Sequence, residues 1–249
     1  MFHTLAFYTA ALASAAANTP LGVLTDQSFG QQNGRYQTPV DMRITAAYVA
    51  GDSLLNARVN TPSLRTISLP YIDPIATVLV NPVVAPVLEL GQYGPLVQAT
   101  EDFTIEATRG VAAAAPAFAL AWMQTTQRAA APGPIYTCRA TSAIVNSVGA
   151  WVLGTMTLDQ TLPAGRYQVV GMSCIGVGLA AARLVFPSMV YRPGVLAREA
   201  VGTYLNQTFR RGNFGSFGDF NSYAQPQLEV FATAAGAAQV TFLDLVKIG

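Results

Sequence analysis

The sequence contains few ionic side chains and almost no imidazole. Charged residues make up 11% of 249 positions, the formal net charge is +1, and the only histidine and lysine are His3 and Lys247. Globular domains usually carry about a quarter charged residues. Nucleic-acid binding needs clustered positive charge, whereas the arginines here are spread along the chain, with one adjacent pair, so we predict no specific nucleic-acid site.

The lack of histidine also argues against catalysis and cofactor binding. A serine or cysteine nucleophile activated by histidine would have to recruit His3. No glycine-rich phosphate loop follows a strand and opens a helix, so the sequence predicts no enzyme and no cofactor. Glu101, Asp102 and Glu106 form one local carboxylate group; Asp102 and Glu106 share a strand face, which either binds a cation or is simply solvated.

The two cysteines are also poor candidates for a metal site. Cys138 and Cys174 lie in apolar, strand-like stretches, with no second cysteine or histidine at ligand spacing. We expect two buried free thiols rather than a disulfide, and no metal site.

The first twenty residues are apolar and rich in alanine. No Lys or Arg precedes Arg35, so a cleaved secretory signal is not expected, and the apolar run is too short to cross a bilayer. Alanine and leucine favour a short helix, with one apolar face formed by Phe2, Leu5, Tyr8 and Leu12. This helix needs a surface to lie on: its own domain, a neighbouring subunit, or lipid.

The rest of the chain alternates short apolar strands with Gly, Pro, Asn and Asp. The interleaved apolar and polar residues of QVTFLDLVKI and the fifteen prolines predict an all-β fold. The segment AAAPGP divides the chain near its middle. IEATRGVAAAAPAFALAWM, before this break, resembles VFATAAGAAQVTFLDLVKI at the end of the chain. Upstream of them, LRTISLP and AARLVFP also resemble each other. Because the matches occur in the same order in both halves, they predict a duplicated β-sandwich.

Several of these segments together resemble a family of viral coat proteins. LPAGRYQVVGMSCIGVGLAAARLVFPSMVYRPG, the terminal FLDLVKI strand and the two similar halves resemble the double jelly-roll major capsid proteins of tailless icosahedral, mainly bacterial, viruses. The resemblance implies two antiparallel β-sandwiches at 35–130 and 134–249, preceded by a helical arm at 1–34. Because 249 residues is short for two rolls, the alternatives are small loops or one roll with insertions.

The resemblance also implies partners and a location. Three copies would form a capsomer, many capsomers a shell, and the protein would lie in the virion with other virion proteins, such as a vertex protein. The N-terminal helix would face an inner membrane or a neighbouring capsomer. The alternative function is a receptor-binding or carbohydrate-binding β-sandwich on a virion or cell surface.

Two segments are candidates for subunit contacts. In FRRGNFGSFGDFNSY the aromatics either close a sandwich, or form a contact with the next subunit, or stack on host sugars. In PSMVYRPG, Tyr191 and Arg192 either point into a subunit contact or belong to a plain turn. With the N-terminal face, the predicted interface residues are Phe2, Leu5, Tyr8, Leu12, Tyr191, Arg192, Arg210, Arg211, Phe214, Phe217 and Phe220.

Overall fold

The structure is a computed structural model that describes residues 2–22, 31–32, 35–64, 71–72, 87–126, 128–198 and 207–249. Within these residues the regular structure is β-strand, apart from three single-turn 3-10 helices at Pro62–Leu64, Gly91–Tyr93 and Gln207–Phe209. None of the described helices is long and apolar enough to cross a membrane. The prediction of an all-β chain is confirmed.

The chain divides into two compact units. The first comprises Leu5–Thr125, and the second comprises Thr126–Gly249 together with Met1–Thr4. The described residues of the expected arm at 1–34 are therefore shared between the units rather than set apart from them.

The first unit is a sandwich of two antiparallel sheets. One sheet has the order β1-β11-β5-β8, with β9 also on β5, and the other has the order β3-β4-β10-β6-β7, with β2 also on β10. The strands are β1 Phe2–Leu12, β2 Thr19–Pro20, β3 Gln31–Gln32, β4 Arg35–Gln37, β5 Met42–Gly51, β6 Leu54–Asn60, β7 Tyr71–Ile72, β8 Leu88–Glu89, β9 Leu96–Val97, β10 Asp102–Arg109 and β11 Ala115–Gln124.

The second unit is also a sandwich of two antiparallel sheets. Their strand orders are β14-β12-β20-β15-β18 and β13-β19-β16-β17. The strands are β12 Tyr136–Ser142, β13 Trp151–Gly154, β14 Thr157–Leu158, β15 Arg166–Ile175, β16 Leu179–Val185, β17 Gly194–Leu196, β18 Gly218–Asn221, β19 Gln227–Ala232 and β20 Gln239–Lys247.

Both units have the same connectivity. In the first unit, β2 and β4 share one position beside β10, β8 and β9 share one position beside β5, and β3 is an added edge strand on β4; in the second unit, β14 is an added edge strand on β12. With the positions in each unit numbered one to eight along the chain, both units contain one sheet of order 1-8-3-6 and one of order 2-7-4-5. This is the jelly roll, an eight-stranded double-sheet fold, so the chain is a double jelly roll.

The internal repeat seen in the sequence corresponds to equivalent strands. IEATRGVAAAAPAFALAWM spans β10 and β11, and VFATAAGAAQVTFLDLVKI spans β19 and β20, which are the seventh and eighth positions of their rolls. The upstream match cannot be compared in the same way, because most of LRTISLP lies in residues 65–70, outside the described residues.

The predicted N-terminal helix is wrong, because residues 2–12 form strand β1 beside β11. Residues 2–8 are all buried. The sequence of a strand that is buried on both faces is a continuous apolar run, and a short run of this kind is also compatible with a buried helix. The helix preference of alanine is worth less than about 1 kcal/mol per residue, so burial of Phe2, Leu5 and Phe7 in the strand outweighs it.

Candidate functional site

The aromatic loop and the first residues of the chain meet in the second unit. The ring of Phe2 stands edge-on against Phe214 and Phe217, with centroid distances of 4.9 and 4.8 Å. Phe209 lies 5.0 Å from Phe214 on the same cluster. Edge-to-face aromatic pairs add about 0.5–1.5 kcal/mol beyond their burial, so this cluster holds both the loop and the chain start.

The next two residues are bound by the backbone of the segment before β17. The N–H of Arg192 donates to Nδ1 of His3 at 2.9 Å, and the N–H of Thr4 donates to the carbonyl oxygen of Arg192 at 3.1 Å. His3 and Thr4 are fully buried. The imidazole acts as a hydrogen-bond acceptor here, so it must be unprotonated at Nδ1.

A buried ionic cluster lies beside this segment. Arg183 on β16 and Glu229 on β19 are cross-strand partners, and Nε of Arg183 donates to Oε2 of Glu229 at 2.5 Å. Arg192 donates to both carboxylate oxygens of Glu229, at 2.8 and 2.9 Å. The carboxylate of Glu229 therefore lies between two guanidinium groups. The side chain of Arg183 has no exposed area, so its ion pair with Glu229 is removed from water.

Arg183 also makes two contacts outside the ion pair. Its Nη1 donates to the carbonyl oxygen of Thr4 at 3.0 Å. Its guanidinium carbon lies 3.9 Å from the ring centroid of Trp151, which is a cation–π contact. A buried charge is tolerated only when it is paired and hydrogen-bonded, and these contacts meet that requirement for Arg183 while fixing Thr4.

A second ionic cluster anchors the aromatic loop to β20. Arg210 donates to both oxygens of Asp244 at 2.7 Å, and the N–H of Arg211 and the hydroxyl of Thr137 donate to the same carboxylate. Burial alone would raise the pKa of Asp244, but these hydrogen bonds and the charge of Arg210 outweigh it and hold the pKa below the ordinary value. Asp244 is therefore an ionised, fully buried anchor.

The loop approaches the sheet closely at Gly171. A Cβ built there would lie 2.5 Å from Oδ2 of Asp244 and 2.8 Å from the nitrogen of Arg211. Such distances are below van der Waals contact, so only glycine at this position lets the loop bond to Asp244.

The structure places most of the predicted interface residues inside the chain. Phe2, Leu5, Tyr8, Leu12, Phe217 and Phe220 are buried, Tyr191, Arg192, Arg210 and Phe214 are half-buried, and Arg211 is exposed. In the second unit Phe2 contacts Phe214 and Phe217, and Arg192 bonds to the neighbouring His3, whereas Arg210 bonds to Asp244. Leu5, Tyr8 and Leu12 belong to the first unit. Their contact with a neighbouring subunit stays a prediction, and Arg211 is the member with its side chain in solvent.

The carboxylates singled out in the first unit form separate pairs. Glu106 is buried and accepts hydrogen bonds from Arg58 at 2.7 Å and Asn60 at 2.5 Å. Asp102 accepts from Gln37 at 2.8 Å. A solvated face is therefore wrong for Glu106, because the neighbouring strand β6 supplies its donors.

The prediction of two buried free thiols is confirmed. Cys138 and Cys174 are free and buried, and burial raises the pKa of both thiols, that of Cys174 to about 11. Among the described residues no group of three or more His, Cys, Asp or Glu side chains could hold a metal ion.

The pair of Arg183 and Glu229 was not identified from the sequence. Each is a single charged residue inside an apolar strand, in LAAARLVF and LEVFATA. A lone charge within a buried strand signals a buried partner, since unpaired charges are rarely buried, but it does not say which strand supplies that partner.

Comparisons with known proteins return viral coat proteins among solved structures. No protein-family model and no curated protein matches the sequence. The crystal structure of the major capsid protein P2 from bacteriophage PM2 is 13% identical, with a TM-score of 0.27, over 100% of this chain and 98% of that one. The crystal structure of the STIV MCP is 9% identical, with a TM-score of 0.27, over 99% and 97%. The strand order of the chain itself, rather than these likenesses, carries the proposal below.

Proposed function

We propose that the chain is a capsid subunit of a virion, whose activity is association with copies of itself. The supporting observation is the repetition of one jelly-roll strand order in two units of a single chain. Jelly rolls serve mainly as viral capsid, lectin and cupin domains. Three copies of a two-roll chain present six similar sandwiches, which is the arrangement that a trimeric capsomer needs to fill a hexagonal lattice.

Loops of the second unit offer a surface for such contacts. Three connections meet at one end of this roll: residues 143–150, 176–178 and 233–238. Asn146 joins them, because its N–H donates to the carbonyl oxygen of Gly236 and its side chain donates to that of Val177, both at 2.8 Å. A surface fixed in this way loses little conformational entropy when a partner binds.

The chemistry of this surface also suits a protein neighbour. None of its residues is charged, and Val145, Val148 and Val177 are 73%, 50% and 56% exposed. Exposed aliphatic side chains on a rigid, charge-free surface are typical of interfaces, whose centres are depleted of charge. We therefore propose these loops, with Arg211, as subunit contacts. Membrane contact through residues 2–12 is not part of the proposal, because that idea needed an exposed helix.

Electron microscopy of the purified full-length chain tests the proposal. We expect trimers or closed shells in negative stain, and the substitution Val145→Asp together with Val177→Asp should leave folded chains that no longer form them. A matched variant, Val40→Asp, changes a valine that is 41% exposed and lies outside every candidate contact, and it should assemble normally. A wild-type chain that stays monomeric under assembly conditions would refute the proposal.

One observation favours the alternative of a carbohydrate-binding module. A cavity of about 300 Å³ in the second unit is lined by residues that include Arg166, Ser188, Asp219, Phe220 and Asn221. Polar groups beside an aromatic ring suit a sugar. A glycan array tests this function: specific binding that is lost in Asn221→Ala, with no assembly, would establish the module instead of the subunit.

A further inference from the structure

The second unit contains an apolar cavity of about 280 Å³ next to the start of β12 and the end of β20. Cys138, Tyr167 and Leu245 line it and are at most 4% exposed, so they form its base. Gln160, Thr161, Leu162 and Pro163, on the segment after β14, complete the wall. The cavity is therefore enclosed by the sheet on one side and by a connecting segment on the other.

The segment that covers the cavity is held in place at both ends. The hydroxyl of Tyr167 donates to the carbonyl oxygen of Pro163 at 2.9 Å. At the other end, β14 pairs with β12 through Ala140 and Leu158. A cavity fixed by such contacts exists before any ligand arrives, and preformed apolar cavities are the usual binding sites for small molecules.

The rim of the cavity combines apolar surface with one cation. Tyr136 lines the rim and is 54% exposed, and its chain neighbour Ile135 is 41% exposed. Lys247, the only lysine of the chain, also lines the cavity, and its ammonium group forms no hydrogen bond or ion pair with any described residue.

The carboxylates near these strands are already paired. In the described part of this unit, Asp159 pairs with Arg139, Asp219 with Arg128 and Arg166, and Asp244 with Arg210. None of these aspartates forms an ion pair with Lys247.

We propose that this cavity binds the alkyl chain of a free anionic amphiphile of the fatty-acid type, with its carboxylate at Lys247. The buried base offers the side chain of Leu245, the ring of Tyr167 and the weakly polar sulfur of Cys138 to the alkyl chain, which gains free energy by leaving water. The ammonium group provides a charge-assisted hydrogen bond to the head group. A cationic head would instead be repelled by Lys247. This site is distinct from the loops assigned to subunit contacts, and it does not depend on the proposed function.

Calorimetric titration of the full-length chain with laurate, kept below its micelle concentration, tests the site. We expect one laurate per chain, and a loss of affinity of roughly tenfold in Lys247→Gln, because a charge-assisted bond is replaced by a neutral one. Arg211→Gln is the matched control: it removes one positive charge from an exposed side chain whose described bond uses only the backbone N–H, and its affinity should equal that of the wild type. Dodecyltrimethylammonium, which has the same chain with a cationic head, should bind at least about tenfold more weakly than laurate.

A second measurement locates the bound chain. Methyl NMR should show laurate-induced shifts at Leu162 and Leu245, and Leu162→Gln should weaken binding while leaving the rest of the spectrum unchanged. The proposal is overturned if laurate does not bind, if Lys247→Gln and Arg211→Gln weaken it equally, or if the shifts lie elsewhere. Binding to phosphatidylglycerol vesicles without binding of monomeric laurate would also overturn it, since the partner would then be a membrane surface.

Discussion

Phe2 packs edge-on against Phe214, with an interplanar angle of 81°, so the first residues of the chain are built into the jelly roll that contains its last. The sequence gives two separate reasons to notice these residues, an apolar chain start and an aromatic loop, and the structure shows that they are one cluster. Strand β1 passes from the second unit into the first between Thr4 and Leu5.

Removal of the Phe2 ring should destabilise the second unit. Phe2 is 2% exposed and contacts two aromatic rings, so Phe2→Ala should cost about 3 kcal/mol, as is usual for a buried phenylalanine. Phe2→Leu keeps most of the apolar volume and should cost roughly 1 kcal/mol. Urea unfolding gives both values, and hydrogen exchange at residues 214–217 should accelerate in Phe2→Ala. Equal stability of Phe2→Ala and wild type would show that the cluster contributes nothing.

The buried pair of Arg183 and Glu229 should show strong coupling. Arg183→Met leaves a buried carboxylate with Arg192 alone, and Glu229→Leu leaves two guanidinium groups without their anion, so each should cost about 3–5 kcal/mol. The double variant should cost less than the sum of the two, by more than about 1 kcal/mol. Circular dichroism during urea unfolding measures all four members of the cycle. Additive costs would mean that the two side chains stabilise the fold independently.

Acid should weaken the anchor of the aromatic loop. Because the pKa of Asp244 in the folded chain is below the ordinary value of 3.8, its ionised form stabilises the fold above that pH, and this contribution is lost as the pH falls through the lower, folded-state pKa. The wild type should lose free energy of unfolding as the pH falls below 3.8 and through the lower, folded-state pKa. Asp244→Asn should be less stable at pH 7 and should lose less on acidification. An identical acid response in both proteins would contradict the assignment.

The two thiols should be unreactive in the folded chain. Burial raises the pKa of Cys174 to about 11 and also raises that of Cys138, so little thiolate forms at pH 8, and both residues are buried. With Ellman's reagent at pH 8, the native protein should show almost no colour, whereas the protein in urea should release the equivalent of both thiols. Rapid reaction of one thiol in the native state would show that it lies in an open site.

The parts of the fold that were predicted correctly depend on short-range patterns. The alternation of apolar and polar residues in β20 and the consecutive strands β10–β11 and β19–β20 are contained within about twenty residues each, so the sequence shows them directly. The two strands of each pair lie in different sheets of their sandwich, so they do not form hairpins. Their recurrence in both halves then indicates two sandwiches, and the structure shows that they are equivalent strands.

The features that were missed depend on contacts between distant segments. Strand β1 is rich in alanine, and only its burial beside β11 decides between strand and helix. Arg183 and Glu229 are 46 residues apart, and nothing local pairs them. The role of Gly171 also depends on distant residues, because the need for glycine follows only from the positions of Arg211 and Asp244 next to it.

Sedimentation velocity of the purified full-length chain tests the central claim, self-association of a two-roll subunit, most directly. The account predicts a species of three times 26.2 kDa, together with much larger particles under assembly conditions. It also predicts that Val145→Asp with Val177→Asp returns the chain to a folded monomer. A single species of 26.2 kDa for the wild type across concentrations and salt conditions would contradict it.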